Sequence, residues 1–437
     1  MFEIPRASTS GQRSMDRPHP RRAARLVGLV ALTLGLATSA NAGGLYVNEF
    51  GTTSQANAGA GRGAWTPDAS ATLHNPATMT QLDDHAAATG FSVGFGRVKF
   101  DPNSGSPSGT GNGGNQAGFF PIASFSYAHK IHDRVRFGFS FFSISGSVLD
   151  PSNDWAGRFE LTELSLLTIS MSPTLAFRVT DWLSIGGGPI AVYGRLDWDL
   201  KLEFPPGSGT ERNIRMEELD DWQASGRVGV LLHPSDDLGL SIYYNSETDM
   251  DLSGDFDGPA GVTRNLNLDL PLAQFVQVSG YWRATERLAL LATFNWEDWS
   301  TLDRLDVTLS GNQATAATGF KDTYKFGLGA NYQLDEDWLL QTGVMYDTSP
   351  LKNTDRTTAL PIDRQIRFAL GFQHQLTDWL KLGTSFVYVN LGDGRVRNPT
   401  VRGSYKDNDI FLFGVTLSFD QLPWAGKLTM NGTGEES

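Results

Sequence analysis

Seven histidines are the residues best suited to acid–base chemistry in this 437-residue chain, and their placement argues against turnover. His19 stands in a basic leader, His132 and His233 lie at or beside short turns, and His374 just precedes one. His74, His85 and His129 remain, none with a Ser or Asp at a spacing that suggests a triad on adjacent strands. No metal-ligand spacing occurs, no cofactor is implied, and there is no cysteine. The acidic pairs Glu217-Glu218 and Asp220-Asp221 read as loop charge. What remains is recognition chemistry. A lipophilic acid needs an apolar slot and one or two cations for its carboxylate. Arg158, which follows a Trp-Ala-Gly turn, and Lys321 or Lys325, at the start of the tenth strand counted below, are the candidates. Leu45, Tyr46 and Phe50 would line the slot if the mature N-terminus is part of it. As loop and rim charge these cations would have no such role, and an aromatic hydrocarbon would need none of them.

Whatever positions these groups begins after a leader. Arg21, Arg22 and Arg25 form a basic region, residues 26–36 an apolar run, and Ala40-Asn41-Ala42 a small-residue cleavage site, so residues 1–42 read as a signal peptide and Gly43 as the mature start. The apolar run is too short to span a bilayer as a permanent anchor. Met15 would serve as an alternative start with the same mature chain. No later stretch offers about 18 consecutive apolar residues, which excludes a transmembrane helix. With 48 Gly and 11% aromatics the composition suits either a soluble all-β protein or an outer-membrane barrel, since a barrel spreads its apolar residues over every second position. The formal charge of −13 argues against nucleic acid as a partner.

From Ala86 onward the sequence repeats one unit of strand, short polar turn, strand and longer polar loop. Short turns fall at His132-Asp133, Thr180-Asp181, Pro234-Ser235-Asp236-Asp237, Thr285-Glu286, Asp335-Glu336-Asp337 and Thr377-Asp378. Six hairpins, with one strand before them (86–100) and one after (408–419), make 14. The other connections are longer: 101–118, 146–161, 205–220, 250–270, 310–319, 350–361 and 391–406. Short turns on one side and long loops on the other are the asymmetry of an outer-membrane barrel, turns periplasmic and loops outside. Alternation agrees. Phe411, Phe413, Val415, Leu417 and Phe419 share one face against Leu412, Gly414, Thr416 and Ser418, and Ile366, Phe368, Leu370 and Phe372 share one against Arg367, Ala369, Gly371 and Gln373. Trp182, Trp338 and Trp379 each follow a short turn at once, the offset of an interfacial girdle; a soluble sandwich would need no such offset.

The expected fold is therefore all-β, a 14-stranded antiparallel transmembrane β-barrel spanning residues 86–419, with an N-terminal plug at 43–85 and a periplasmic tail at 420–437. A barrel of this size has a lumen that side chains alone do not fill, and the Gly-, Ala-, Ser- and Asn-rich stretch before the first strand is long enough to close it. Within the plug Asn75, Pro76 and Ala77 form a turn, because Asn bonds its own backbone and Pro restricts itself and its predecessor. In the third strand Phe142 and Ile144 are out of phase with Val135, Phe137, Phe139 and Phe141. This suggests a bulge, or a lumen that turns apolar at that height, and Gly138 permits a bend.

The mature start Gly44-Leu45-Tyr46-Val47-Asn48-Glu49-Phe50 and the segment Asp68-Ala69-Ser70-Ala71-Thr72-Leu73-His74-Asn75-Pro76-Ala77 resemble the FadL/TodX family of outer-membrane transporters for long-chain fatty acids and aromatic hydrocarbons. Asn153-Asp154-Trp155-Ala156-Gly157-Arg158-Phe159 and Tyr346-Asp347-Thr348-Ser349-Pro350 resemble its loop and strand-end signatures. The resemblance implies a Gram-negative outer-membrane barrel with an N-terminal hatch. A hydrophobic ligand would be caught at the outer loops, pass to an apolar pocket near the mature N-terminus and leave sideways beside a kinked third strand, with Gly138, Phe141 and Phe142 as the kink candidates. The partners expected are that ligand, outer-membrane lipid and lipopolysaccharide, with the barrel monomeric and transport passive. A general diffusion porin and an outer-membrane lipid hydrolase are the rival readings.

Overall fold

A computed structural model of the chain describes residues 46, 51–65, 68–143, 146–205, 207–259, 261 and 263–420. The leader, Leu45, Phe50 and the tail beyond Asp420 lie outside the described residues. The polar turns and period-two patterning produce fourteen barrel strands in one antiparallel sheet: β1 (Ala86–Pro102), β2 (Phe119–His132), β3 (Val135–Phe142, resuming at Gly146–Leu149), β4 (Glu163–Arg178), β5 (Leu183–Glu203), β6 (Glu211–Ser235), β7 (Leu238–Asn245), β8 (Phe275–Arg283), β9 (Leu288–Glu297), β10 (Thr323–Gln333), β11 (Trp338–Asp347), β12 (Gln365–Thr377), β13 (Leu380–Asn390) and β14 (Arg402–Asp420). β1 pairs with β14 from Ala86↔Asp420 to Pro102↔Gly403, so the sheet closes on itself and no first or last edge is left unpaired in lipid. All six short turns fall where the turn residues place them.

Side chains alternate as a membrane requires. On β14, Phe413 is 64% exposed while Leu412, Gly414, Thr416 and Ser418 face the lumen. On β12, Phe368 and Leu370 face out while Arg367 and Ala369 are buried. Trp182 and Trp379 are exposed next to their turns, and Trp338 stacks on His374 with ring centroids 4.1 Å apart. A soluble sandwich would bury all three. An outward belt of Phe, Leu, Val and Ile is stable only where lipid replaces water, because each such side chain loses about 1.5–3 kcal/mol by staying in water.

The polar connections correct the expectation in one respect. Residues 205–220, 250–270 and 310–319 are not simple loops, because much of them is strand. β6 already starts at Glu211, β7 continues as Thr248–Asp257, β8 is preceded by Thr263–Leu272, and Arg304–Leu309 with Asn312–Ala317 form a hairpin between β9 and β10. These strands stand beyond the bilayer, so the outward positions are Asp and Asn instead of Phe. Their period-two signal is still present: Met250 and Leu252, and Leu266, Leu268 and Leu270, are buried against Asp249, Asp251, Asn267 and Asp269. Counting polar residues hides that alternation.

The hatch fills the lumen with short turns, a 3-10 helix at Thr53–Asn57, a single α-turn at Ala71–His74 and a 3-10 helix at Pro76–Gln81. It fits because the wall facing it is glycine. A Cβ on Gly90 would lie 1.6 Å from Gly51 O, and one on Gly343 would lie 2.0 Å from Asn57 O. Two backbones can approach this closely only where no side chain intervenes.

Candidate functional site

The turn at Asn75 is a joint between hatch and wall. Asn75 Oδ1 accepts from Ala77 N at 3.0 Å and so caps the 3-10 helix, while Asn75 Nδ2 donates to Gly63 O at 3.1 Å and Val230 O of β6 at 3.3 Å. Pro76 and Ala77 pack on Gly186 of β5, where a Cβ would come within 2.6 Å of Ala77 N. Barrel arginines hold the same half of the hatch. Arg136 Nη2 donates to Leu82 O at 2.9 Å, Arg178 donates to Thr80 O, and Arg227 Nη1 donates to Leu73 O at 2.9 Å. The structure also brings a histidine to hydroxyls: His74 Nε2 lies 3.0 Å from Thr52 Oγ1 and 3.1 Å from Ser54 Oγ, tying the two halves of the hatch together.

Above the hatch the lumen is apolar. Tyr46 is 4% exposed, donates its hydroxyl to Ala273 O, and packs its ring on Trp299 at 4.8 Å and Phe275 at 5.7 Å. It belongs to a buried cluster that continues through Leu266, Leu268, Leu272, Ile190 and Leu219 to Trp155 and Tyr405 under the outer loops. Of the three residues expected to line a slot only Tyr46 is described, and the cluster around it is not revealed by alternation alone, since its lining comes from many strands.

The three candidate cations are not brought together. Arg158 is taken up by Glu211, donating through Nε and Nη2 at 2.7–3.1 Å, and by Ser108 O and Trp155 O. Lys321 is exposed, and its backbone N donates to Pro350 O at 3.0 Å. Lys325 is not a rim charge. It is fully buried on β10, paired with Glu297 of β9 and 3.8 Å from Asp347 of β11, and Arg367 of β12 lies 3.7 Å from the same aspartate. Four charges on four neighbouring strands thus compensate one another inside the apolar end of the barrel, as buried ions must. Arg367, Glu297 and Asp347 were legible only as ionisable residues at lumen-facing positions.

In the third strand Phe142 points into the lumen. Arg136, Gly138, Ser140 and Phe142 face inward in unbroken alternation, so no phase change occurs at Phe141-Phe142. A Cβ at Gly138 would strike Met79 Sδ at 2.5 Å, Thr174 Oγ1 at 2.6 Å and Thr72 Cγ2 at 2.7 Å, so the glycine serves as a seat for the hatch. The irregularity comes just beyond. Phe142 pairs with Ser170, and Gly146 with Leu167, so four residues of β3 (146 − 142) run against three of β4 (170 − 167). That is a bulge of one residue. On the other side, β2–β3 pairing ends at Phe125↔Phe141, and among the described residues 119–124 of β2 pair with β1 only. Phe119, at that unpaired edge, is 78% exposed.

The outer loops form a joined cap. Glu160 accepts from Thr358 N at 2.8 Å, Thr358 Oγ1 at 3.0 Å and Asn398 Nδ2 at 2.7 Å, linking three loops through one half-buried carboxylate. Burial pushes its carboxyl above the ordinary glutamate range, against the hydrogen bonds that favour the anion. A raised folded value means that ionisation opposes docking, so the cap loses stability as pH rises from the ordinary glutamate range through the raised one. The protection factors of residues 353–363, with the intrinsic pH dependence of amide exchange divided out, are expected to be higher at mildly acidic than at neutral pH, and Glu160→Gln to flatten the difference. A wild-type cap better protected at neutral pH would contradict this.

Comparison with known proteins follows the same architecture. The sequence model for outer membrane protein transport proteins (OMPP1/FadL/TodX) matches residues 33–420. A long-chain fatty acid transport protein of Escherichia coli O6:H1 is 25% identical over 438 residues, covering 89% of this chain and 97% of that protein. Outer membrane protein P1 of Haemophilus influenzae is 22% identical over 455 residues, covering 90% and 98%. Among solved structures, a FadL homologue of Pseudomonas aeruginosa superposes with a TM-score of 0.80 at 20% identity, covering 87% of this chain and all of that one. The toluene transporter TodX of P. putida gives a TM-score of 0.67 at 15% identity, covering 85% and 98%. The Escherichia coli relative and TodX are named as transporters, and the 14-stranded barrel fits the Gram-negative outer membrane. With the family model spanning hatch and barrel alike, the chain belongs to the OMPP1/FadL/TodX family of outer-membrane transport proteins.

Proposed function

We propose that this barrel carries hydrophobic compounds inward passively, that its hatch blocks the axial route, and that the ligand leaves sideways through the break between β2 and β3. The observation that carries this reading is the loss of β2–β3 pairing, among the described residues, above Phe125↔Phe141 beside a one-residue bulge. Water and ions gain nothing from such an exit, whereas an apolar molecule passes from the Tyr46 slot into the bilayer without crossing water. The ligand gradient supplies the driving force, and each barrel works alone in outer-membrane lipid and lipopolysaccharide. Leu45 and Phe50 would complete the slot around Tyr46, and Lys325 with Arg367 would meet an acidic head there, while Arg158 and Lys321 serve the outer loops. Long-chain fatty acids and aromatic hydrocarbons are the two substrate classes named for relatives. Uptake of labelled oleate and of toluene by cells with and without the protein tests the reading, and no difference for either compound would refute it. A porin would instead show ohmic conductance through its long axis.

A further inference from the structure

Arg227 of β6 is 4% exposed, its Nη1 donates to Leu73 O at 2.9 Å and its Nη2 to Ser140 Oγ at 2.8 Å, and the Tyr243 hydroxyl is a further polar neighbour of the guanidinium. Its Nε–H has no acceptor, and among the described residues no carboxylate forms an ion pair with it. Lys325 and Arg367, equally buried, do have such carboxylates. A guanidinium is always charged, carries five N–H donors and is costly to bury without an anion.

Its position sets where an anion would meet it. The guanidinium lies over the ring of Phe142, 5.6 Å from the centroid, and Phe142 is the last residue of β3 before the bulge. Opposite Phe142 stands Ser170 of β4, fully buried with an unpartnered hydroxyl. One step toward the periplasm, Ser126, Ser140 and Ser172 lie in register across β2, β3 and β4, all buried. The inner side of the break is thus built of hydroxyls and one desolvated cation, while the lumen above it is apolar. A hydrocarbon gains nothing from those donors. A carboxylate gains charge-assisted hydrogen bonds in a site that excludes water.

We propose that Arg227, with Ser140 and Ser170, holds the head group of a long-chain carboxylate at the inner mouth of the β2–β3 break, so that the barrel prefers acids to neutral hydrophobes of equal length. This inference rests on the lateral route proposed above. The carboxylate takes the Nε–H and a neighbouring Nη–H, the Ser170 hydroxyl adds a third donor, and the alkyl tail lies along Phe142.

The test is binding of decanoate and of 1-decanol to the purified full-length protein in detergent, with heat-modifiable migration confirming the barrel in each variant. The wild type is expected to bind the acid more tightly. In Arg227→Met the acid-to-alcohol affinity ratio falls by roughly ten- to a hundredfold, the weight of hydrogen bonds to a charged group. Arg227→Lys retains part of the preference. Ser170→Ala, which leaves the hatch contact with Leu73 intact, lowers the ratio by about threefold to tenfold. Equal weakening of both ligands in Arg227→Met would show a purely structural role and overturn the proposal, as would an unchanged ratio or a wild type that does not distinguish acid from alcohol. The lateral route fails separately, if closing the break leaves transport intact while the Arg227-dependent binding ratio persists.

Discussion

Deletion of Ser143 is expected to lower uptake of labelled oleate by about tenfold or more, the change that a barrier higher by about 1.4 kcal/mol would give. The reason is register. Between the last regular pair, Phe142↔Ser170, and the next, Gly146↔Leu167, β3 carries one residue more than β4. Removing one residue lets β3 run straight, and the unpaired edge at residues 119–124 of β2 gains a partner, because an exposed row of backbone donors and acceptors pairs whenever a strand comes within reach. The strand count, the hatch seat at Gly138 and the outer cap are untouched, so the variant should still migrate as a heat-modifiable barrel. Uptake at the wild-type rate from a correctly folded variant would rule out the sideways exit and return the axial route to consideration.

Replacing Gly90 and Gly343 together by Val should open an ionic path through the barrel, raising conductance in planar bilayers from near closed to ohmic. Both glycines lie on barrel strands, where Val is a good β-former, but their Cβ positions are 1.6 Å from Gly51 O and 2.0 Å from Asn57 O. Neither neighbour is a flexible side-chain tip; both are backbone of the hatch, so residues 51–57 must move as a unit. Their contacts with the wall, including Thr416 Oγ1 donating to Gly51 O and Asn57 Nδ2 donating to Thr342 O, would be lost with the shift. Overpacking of this kind costs about 1–3 kcal/mol per site, less than the whole barrel's pairing, so the hatch yields before the wall. Gly226→Val on β6, where a Cβ meets nothing within 4 Å, is the control and should stay closed. Wild-type conductance in the double variant would mean that the hatch does not seal the lumen.

The two effects are separable because the hatch contacts on β3, at Arg136 and Gly138, stop short of the bulge that follows Phe142. The residues from Asp68 to Leu82 are bonded to β3, β4, β6 and β14 through Arg136, Arg178, Arg227, Asn75 and Ser418. The bulge lies above those contacts on β3. On the proposed reading, a hatch held in this manner would close the axis and leave the side of the barrel as the route.

Much of this protein is determined locally. Period-two alternation such as Phe413 and Val415 against Gly414 and Thr416, and turns such as Thr377-Asp378, are set by side-chain chemistry within a few residues, so strand number, closure and the facing of β12 and β14 follow from the chain itself. The Asn75-Pro76 turn is local for the same reason, and the structure shows it as the cap of a 3-10 helix. Sequence alternation could not locate the bulge, because Phe141 and Phe142 keep their phase and the extra residue is visible only against β4, a partner 21 to 28 residues away. Nor could it tell a hinge from a seat at Gly138, since that depends on Met79 and Thr72 of the hatch. Lys325 looked like a rim charge because its strand begins there; burial beside Glu297 and Asp347 is a property of four strands at once. The sequence by itself determined a 14-stranded membrane barrel with something to close it, since alternation and turn chemistry are local. Where β2–β3 pairing stops, what packs on Gly138 and which cations are paired follow from the fold, because they depend on distances between residues far apart in the chain.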